Sequence, residues 1–170
     1  MMRMLGFVLL QTAAIVCAHR HVKEKRLAND ALRDFCDMLD QLQGLLENDA
    51  SPMPELLRKL SARCKGEARA FADALCDSTR DLGKRSFQEL WQKVCLEKTT
   101  LAGKNAAQEL EALGGILGRY DLDVQTEAVT TCKKALRHAL DQRQDKQAQE
   151  AYTTVGLSLS ASLLLGILLL

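Results

Sequence analysis

Apolar residues recur at helical spacing through the middle of the chain, between two terminal segments that carry no charge. In the first periodic stretch the apolar side chains lie three and four positions apart, as on one face of a helix. They are Leu27, Ala31, Phe35, Met38, Leu42 and Leu45, with a second stripe at Leu32, Leu39 and Leu46. Because two stripes need cover on more than one side, the pattern predicts a first helix inside a bundle, ending near Asn48.

Three shorter periodic stretches follow, each bounded by residues that start or stop helices. Ser51 is predicted to be the N-cap of the second helix, with Pro52 in its first turn. The third helix is predicted to extend to Leu82 and to stop at Gly83. The fourth opens on the sequence Ser86-Phe87-Gln88-Glu89, a capping box. The positions that these helices are predicted to bury include Leu56, Leu60, Phe71, Leu75, Phe87, Leu90, Trp91 and Val94.

The last third of the chain predicts two helices joined by a glycine-containing turn. Gly118 is predicted to adopt the left-handed conformation that glycine takes at little cost, and Asp121 to cap the sixth helix. No breaker occurs between Leu122 and Gly156, so the sixth helix is predicted to run directly into the C-terminal apolar segment. The inward residues are Ala106, Leu110, Leu113 and Leu117 in the fifth helix and Val129, Cys132, Leu136 and Leu140 in the sixth.

The two uncharged ends are predicted to be membrane helices. Residues 4–18 and 153–170 lack charged side chains, and each is slightly shorter than the roughly 20 helical residues that cross a hydrocarbon core. We therefore predict an N-terminal anchor over 1–22, a soluble bundle over 23–150 and a C-terminal span over 151–170. Small residues at helical spacing in the second span predict a packing face for another helix. They are Gly156, Ser158, Ser162 and Gly166.

Charge beside the first apolar segment sets the predicted orientation. Arg20, Lys23, Lys25 and Arg26 form a basic flank, and basic residues hold the adjoining end of a span in the cytoplasm. The bundle is therefore predicted to be cytoplasmic, although the flank could also attract anionic headgroups. An alternative interpretation is an exported, tail-anchored envelope protein, since the first segment also resembles a cleavable signal peptide ending near Ala18.

Composition supports an all-α fold and argues against several kinds of chemistry. The chain has only two prolines and 4% aromatic residues, while its 23 basic and 22 acidic residues nearly cancel, which disfavours nucleic acid as a partner. Six cysteines lack any paired spacing typical of zinc sites, so they are predicted to be ordinary thiols of a reducing compartment. No phosphate-binding loop or hydrolase motif occurs, and we predict no catalytic, metal or cofactor site. A membrane enzyme using Cys17 or Cys36 as nucleophile is a minor alternative.

One segment near the end of the bundle carries a resemblance to a known family. Its distinctive residues are Leu113, Gly114, Leu117, Gly118, Arg119, Tyr120, Asp121 and Gln125. Followed by a long charged helix and a leucine-rich end, they resemble the stage III sporulation protein AB family of endospore-forming bacteria. Two interpretations of these residues stay open: a structural turn in which Gln125 bonds backbone, and an exposed contact for a partner through Arg119, Tyr120 and Asp121.

The resemblance implies a fold, a location and partners. It implies a bundle of about six helices similar to the type II secretion F domain, flanked by transmembrane helices. It further implies a non-enzymatic platform in the secretion-like channel between mother cell and forespore. The location would be the mother-cell side, in the outer forespore membrane. The expected partners are an ATPase similar to stage III sporulation protein AA and other membrane components of the complex.

Overall fold

Two very long helices and four short ones make up the fold in a computed structural model. The structure describes the backbone of residues 2–49 and 51–169 and the side chains of residues 23–49 and 51–147. The helices are α1 (Met2–Asn48), α2 (Met53–Arg63), α3 (Gly66–Ser78), α4 (Phe87–Lys98), α5 (Lys104–Leu113) and α6 (Leu122–Leu169), with a 3-10 turn at Thr79–Asp81. No strand occurs in the described ranges, and the predicted all-α fold is confirmed.

The long helices α1 and α6 pack against each other in antiparallel directions. Lys133 of α6 contacts Asp40 of α1, whereas Gln147, farther along α6, contacts Asn29, which lies earlier in α1. The partner in α1 therefore moves toward the N-terminus as α6 proceeds. Because the helices run in opposite directions, the start of α1 and the end of α6 leave the bundle on the same side.

The core lies between this pair and the four short helices. Phe35 of α1 meets Phe71 of α3 edge to face at 5.6 Å between ring centroids, and Phe71 meets Trp91 of α4 at 5.2 Å. These three rings are fully buried, and aromatic pairs in this geometry add to the stabilisation that burial provides. Leucines complete the core, among them Leu32, Leu39, Leu42, Leu57, Leu60, Leu75, Leu110 and Leu136.

Three predicted helix limits differ from the structure. The N-cap of α2 is Pro52 and not Ser51, because the Ser51 hydroxyl donates to Asp49 Oδ1 at 2.5 Å and accepts from Lys59 Nζ. Helix α3 ends at Ser78 and does not reach Leu82, since the hydroxyls of Ser78 and Thr79 donate to backbone carbonyls of the last turn. Leu117 lies beyond α5 in the turn that follows.

Other local predictions agree with the structure. The backbone N–H of Glu89 donates to the Ser86 hydroxyl, which is the predicted N-cap of α4. Gly118 has a φ of +72°, the left-handed conformation expected there. The backbone carbonyl of Asp121 accepts from the N–H of Gln125, so Asp121 occupies the N-cap position of α6. Capping by its carboxylate stays a prediction.

The predicted membrane spans, residues 1–22 and 151–170, lie entirely outside the residues whose side chains the structure describes. Within the portion that it does describe, no helix combines the length and the apolar character needed to cross a bilayer. The boundaries at residues 22 and 151 therefore stay predictions.

Candidate functional site

The turn between α5 and α6 brings the signature residues together. After α5 ends at Leu113, the chain makes successive short-range backbone bonds, among them Ile116 N–H to Leu113 O at 3.0 Å. Leu113 and Leu117 point into the core and are nearly fully buried. The turn is therefore anchored from below by two leucines, and Gly118 reverses the chain above them.

Gly114 is required by the packing of Trp91. A Cβ atom at residue 114 would overlap the Trp91 indole ring, which lies directly against the glycine backbone. The indole Nε1–H donates to the carbonyl of Leu110 at 2.6 Å, so the ring is fixed in this position by a buried hydrogen bond. Gly114 thus lets α4 approach the end of α5 closely, and its role in the signature is structural.

Gln125 closes the turn with both ends of its side-chain amide. Its Oε1 accepts from the N–H of Gly118 at 3.0 Å, and its Nε2 donates to the carbonyl of Tyr120 at 2.6 Å. One side chain from the first turn of α6 therefore satisfies two backbone groups of the preceding loop. Sequence reasoning expected Gln125 to bond backbone, and these contacts agree with that expectation.

The remaining signature residues face solvent. Arg119 and Asp121 are exposed, and the Tyr120 side chain is 54% exposed. Leu122 and Val124 follow and are also unusually exposed for apolar residues, at 47% and 44%. The signature therefore divides into residues that build the turn, of which Leu113, Gly114 and Leu117 are buried, and exposed residues that are available for contact.

Polar contacts fix the register of α1 against α6. Lys133 Nζ donates to Asp40 Oδ1 at 2.7 Å and to Gln43 Oε1 at 3.0 Å, and Arg137 Nη2 donates to the other oxygen of Asp40 at 2.9 Å. Farther along α6, Asn29 Nδ2 donates to Gln147 Oε1 at 3.3 Å. The side-chain oxygen of Asn29, Oδ1, is buried and has no hydrogen-bond partner among the described residues. A polar residue at a helix interface favours one register at some cost in stability.

Arg143 joins three parts of the chain near the same end. Its guanidinium donates to the carbonyl of Ala102 at 2.7 Å and to that of Ala28 at 3.4 Å. Gly103 next to Ala102 has a φ of +95°, and a Cβ there would overlap the guanidinium. Arg143 therefore ties the loop between α4 and α5 to both long helices.

The structure describes the side chains of only part of the basic flank. It describes none of the side chains of the predicted packing face in the second span. Lys23 and Arg26 are exposed and Lys25 is half-buried, all on α1. The side chain of Arg20 falls outside the described residues, as do those of Gly156, Ser158, Ser162 and Gly166.

The titratable groups show no arrangement suited to catalysis within the described chain. Burial raises the pKa of the Cys36 thiol to about 11 and that of Cys95 and Cys132 to about 12. A thiol with such a pKa stays protonated at neutral pH, so Cys36 is a poor nucleophile. His138 is exposed and its Nε2 lies 3.0 Å from the Gln142 amide nitrogen. Among the described residues, no cluster of three metal-binding side chains occurs.

Fold and site together define a class: an all-helical bundle clamped on an antiparallel pair of long helices and closed by a glycine–glutamine turn. The chain belongs to the stage III sporulation protein AB family, whose family model matches residues 3–170. It is thus a sporulation protein of the stage III A complex. A solved structure titled stage III sporulation protein AB has a similar fold, with a TM-score of 0.63 at 15% identity. That match covers 72% of this chain and 98% of the other. Among curated proteins, none matches the sequence.

Several important contacts had no recognisable sequence signal. The clamp of Arg143, the bond from Trp91 to Leu110 and the inter-helix cap of Glu67 N–H by Asp34 at 3.1 Å all join residues far apart in sequence. Arg143 and Asp34 are common residue types on ordinary helices, and although Trp91 is the single tryptophan of the chain, its spacing gives no indication of its partner. The sequence offered one signal, a glycine beside two of these contacts. Gly103 and Gly66 both have a positive φ in the structure, and a Cβ atom at either would overlap the contacting side chain, Arg143 or Asp34.

Proposed function

We propose that this protein is a non-enzymatic membrane platform in the secretion-like channel formed between mother cell and forespore. In this proposal residues 1–22 and 151–170 are transmembrane helices and the bundle lies in the mother-cell cytoplasm, at the outer forespore membrane. The observation that carries the proposal is the antiparallel register of α1 and α6. It directs the two uncharged ends of the chain to the same side of the bundle, as insertion into a single membrane requires.

Charge at the base of the bundle supports the same arrangement. The exposed side chains of Lys23 and Arg26 lie on α1 between the bundle and the uncharged N-terminal segment. Basic residues in this position are retained on the cytoplasmic side and are attracted to anionic headgroups by about 1 kcal/mol each. A bundle suspended from two such helices would present its far end, with the turn of Gly118, away from the bilayer.

The platform role rests on what the resemblance to the family implies and on a bundle with one continuous buried core. The fold would act as does the type II secretion F domain, to which the family is similar, by holding a cytoplasmic ATPase at the membrane. The proposed partner is a secretion-type ATPase similar to stage III sporulation protein AA. The exposed half of the signature turn, with Tyr120 54% exposed, offers a contact surface at the end of the bundle that faces the cytoplasm in this topology.

Co-purification of the full-length chain with the ATPase tests this proposal. The chain is solubilised in mild detergent from sporulating cells through an affinity tag, and the ATPase is measured in the eluate. Retention of the ATPase is expected, with loss after Tyr120→Asp and no loss after Leu96→Asp. Leu96 provides the matched control because it is also an exposed apolar residue, at 77%, on a different helix. Absence of the ATPase from the unsubstituted complex contradicts the docking role.

Sequencing the N-terminus of the purified chain tests the anchor separately. A mature chain beginning at His19 would contradict the retained N-terminal helix and would support the exported, tail-anchored alternative.

A further inference from the structure

A surface groove runs between α5 and α6 directly beside the signature turn. Its volume is about 340 Å³, and its floor is formed by apolar side chains that include Leu113, Ile116 and Ala128. Val124, which is 44% exposed, lies at one end. Of the six large apolar residues that are exposed in the described chain, Val124 is the one that lines the groove, and Tyr120 and Leu122 precede it in sequence. A concave and mostly apolar surface between two helices is a candidate for binding another molecule.

The rim of the groove carries negative charge on both walls. Glu109 of α5 and Glu127 of α6 line it, and no basic residue does. In the described part of the chain, neither carboxylate takes part in a salt bridge. By contrast, the groove between α4 and α5, with a volume of about 350 Å³, is lined by charges of both signs, Lys104 and Glu111. The acidic rim therefore distinguishes the α5–α6 groove from its neighbour.

This charge pattern decides between the possible occupants. Anionic lipid and nucleic acid would be repelled by two carboxylates. A second copy of the chain using the same groove in a two-fold contact would bring identical acidic rims together. A groove between two packed helices accepts the ridge of a third helix, whose apolar side chains enter at helical spacing. Basic residues on both flanks of that helix would meet Glu109 on one wall and Glu127 on the other.

We propose that the α5–α6 groove binds an amphipathic helix of a partner protein that carries Lys or Arg on both sides of its apolar stripe. This inference deepens the proposed function, because it names the docking surface and the chemistry of the segment that occupies it. It rests on that proposal only in expecting a protein partner, and any component of the complex can supply the helix.

Site-specific photo-cross-linking in sporulating cells tests the proposal with the full-length chain. A photoreactive amino acid replaces Thr131, which is exposed and lines the groove, or Lys98, which is exposed on α4 outside it. Residue 131 is expected to give an adduct with one protein, and residue 98 is not expected to give that adduct. The cross-linked peptide, sequenced by mass spectrometry, is expected to be amphipathic and basic. An adduct with lipid, with a second copy or with an acidic segment overturns the proposal, as does the absence of any adduct.

Charge reversal supplies the matched control. Glu127→Lys in the chain with the cross-linker at residue 131 is expected to lower the adduct yield about fivefold or more, because attraction becomes repulsion. Glu97→Lys makes the same change in net charge at an exposed position on α4 and is expected to leave the yield unchanged. Replacing a basic residue of the cross-linked partner segment by Glu is expected to restore the yield with Glu127→Lys. Equal yields from the two variants, or failure of this restoration, contradict the proposal.

The two proposals fail in different ways. If the ATPase does not co-purify while residue 131 cross-links to a basic helix of another protein, the ATPase-docking role is wrong and the groove assignment stands. If the ATPase co-purifies and the groove variants leave both its retention and the cross-linking unchanged, the groove assignment is wrong.

Discussion

The signature turn and the pair of long helices are held together by different kinds of interaction. In the turn, a backbone without a side chain at Gly114 lies against the buried Trp91 ring, and little space remains for adjustment. In the pair, an apolar interface is registered by partly exposed groups, including Asp40, whose side chain is 39% exposed. Steric fit dominates the first region, whereas charge and hydrogen bonding at the edges tune the second.

The two regions should therefore respond differently to substitution and to salt. Close-packed cores transmit strain and tolerate little change in volume, while exposed ion pairs contribute modestly to stability and are screened by salt. The turn is therefore suited to present a fixed contact surface, and the polar contacts between the long helices are suited to hold α1 and α6 in one register. The predictions below test this contrast at single residues.

Gly114→Ala is expected to cause the largest loss of stability. The added methyl group overlaps the Trp91 ring, which is held by its bond to Leu110, and overpacking of this kind costs about 2–3 kcal/mol. Gly115→Ala is the matched control, because its nearest contact would be the flexible amide of Gln88 at 3.4 Å. Denaturant unfolding of both variants measures the difference. Equal stabilities would show that the turn is not limited by steric fit.

Gln125→Ala is expected to destabilise the protein by about 1–2 kcal/mol, since two backbone groups lose their partner. Gln125→Glu keeps the acceptor for Gly118 N–H but loses the donor to the Tyr120 carbonyl. Hydrogen exchange of the Gly118 amide distinguishes the two: fast exchange is expected in the Ala variant and slower exchange in the Glu variant. Unchanged protection of the Gly118 amide in both variants would mean that the hydrogen bond from Gly118 N–H to the Gln125 side chain does not stabilise the turn.

Lys133→Met is expected to cost about 1 kcal/mol, because it removes the bonds to Asp40 and Gln43 while keeping most of the buried alkyl chain. Lys134→Met is the control, since Lys134 is exposed and carries the same charge. Raising NaCl from about 0.05 M to 1 M should reduce the difference in unfolding free energy between the two variants, because salt screens the interaction of Lys133 with Asp40. A gap that is independent of salt would contradict an electrostatic contribution to the register.

Ionisation of the buried thiols is expected to lower the stability of the fold only in alkaline solution. The pKa of Cys132 is raised from 9.0 to about 12 in the folded protein, so above pH 9 the unfolded chain releases its proton first. Below pH 9 the thiol is protonated in both the folded and the unfolded state, and the free energy of unfolding is unaffected by its ionisation. As pH rises from 9 toward 12, only the unfolded chain is deprotonated, and the free energy of unfolding falls. Cys132→Ala should therefore show a smaller decrease in unfolding free energy between pH 8 and about 11 than the parent chain. Identical decreases in unfolding free energy for the two chains would show that burial does not raise the pKa of the Cys132 thiol.

The extent to which the sequence predicts the structure depends on how local the determining interaction is. The stripe of Leu32, Leu39 and Leu46 is a local pattern and is buried as expected. Of the capping box at Ser86, the structure shows the bond from the Glu89 N–H to the Ser86 hydroxyl. Ser51 was predicted as an N-cap, but Lys59 ten residues after Asp49 draws that hydroxyl into an ion-pair network.

The candidate site follows the same division. Gln125 and Gly118 lie seven residues apart in one turn, so the signature could be interpreted from its own residues. The groove between α5 and α6 was not predicted, since its acidic rim joins Glu109 and Glu127 from two helices whose relative rotation no periodicity defines. The same is true of Trp91, whose dependence on Gly114 is visible only in the packed structure.

The most direct test of the central proposal is the location of the full-length chain in cell membranes. Membranes from sporulating cells are washed with alkaline carbonate, which removes peripheral proteins, and the chain is measured in pellet and supernatant. Retention in the pellet is expected, and it should be reduced when residues 151–170 are deleted. Release of the intact chain into the supernatant would contradict a bundle held at the bilayer by helices at both of its ends.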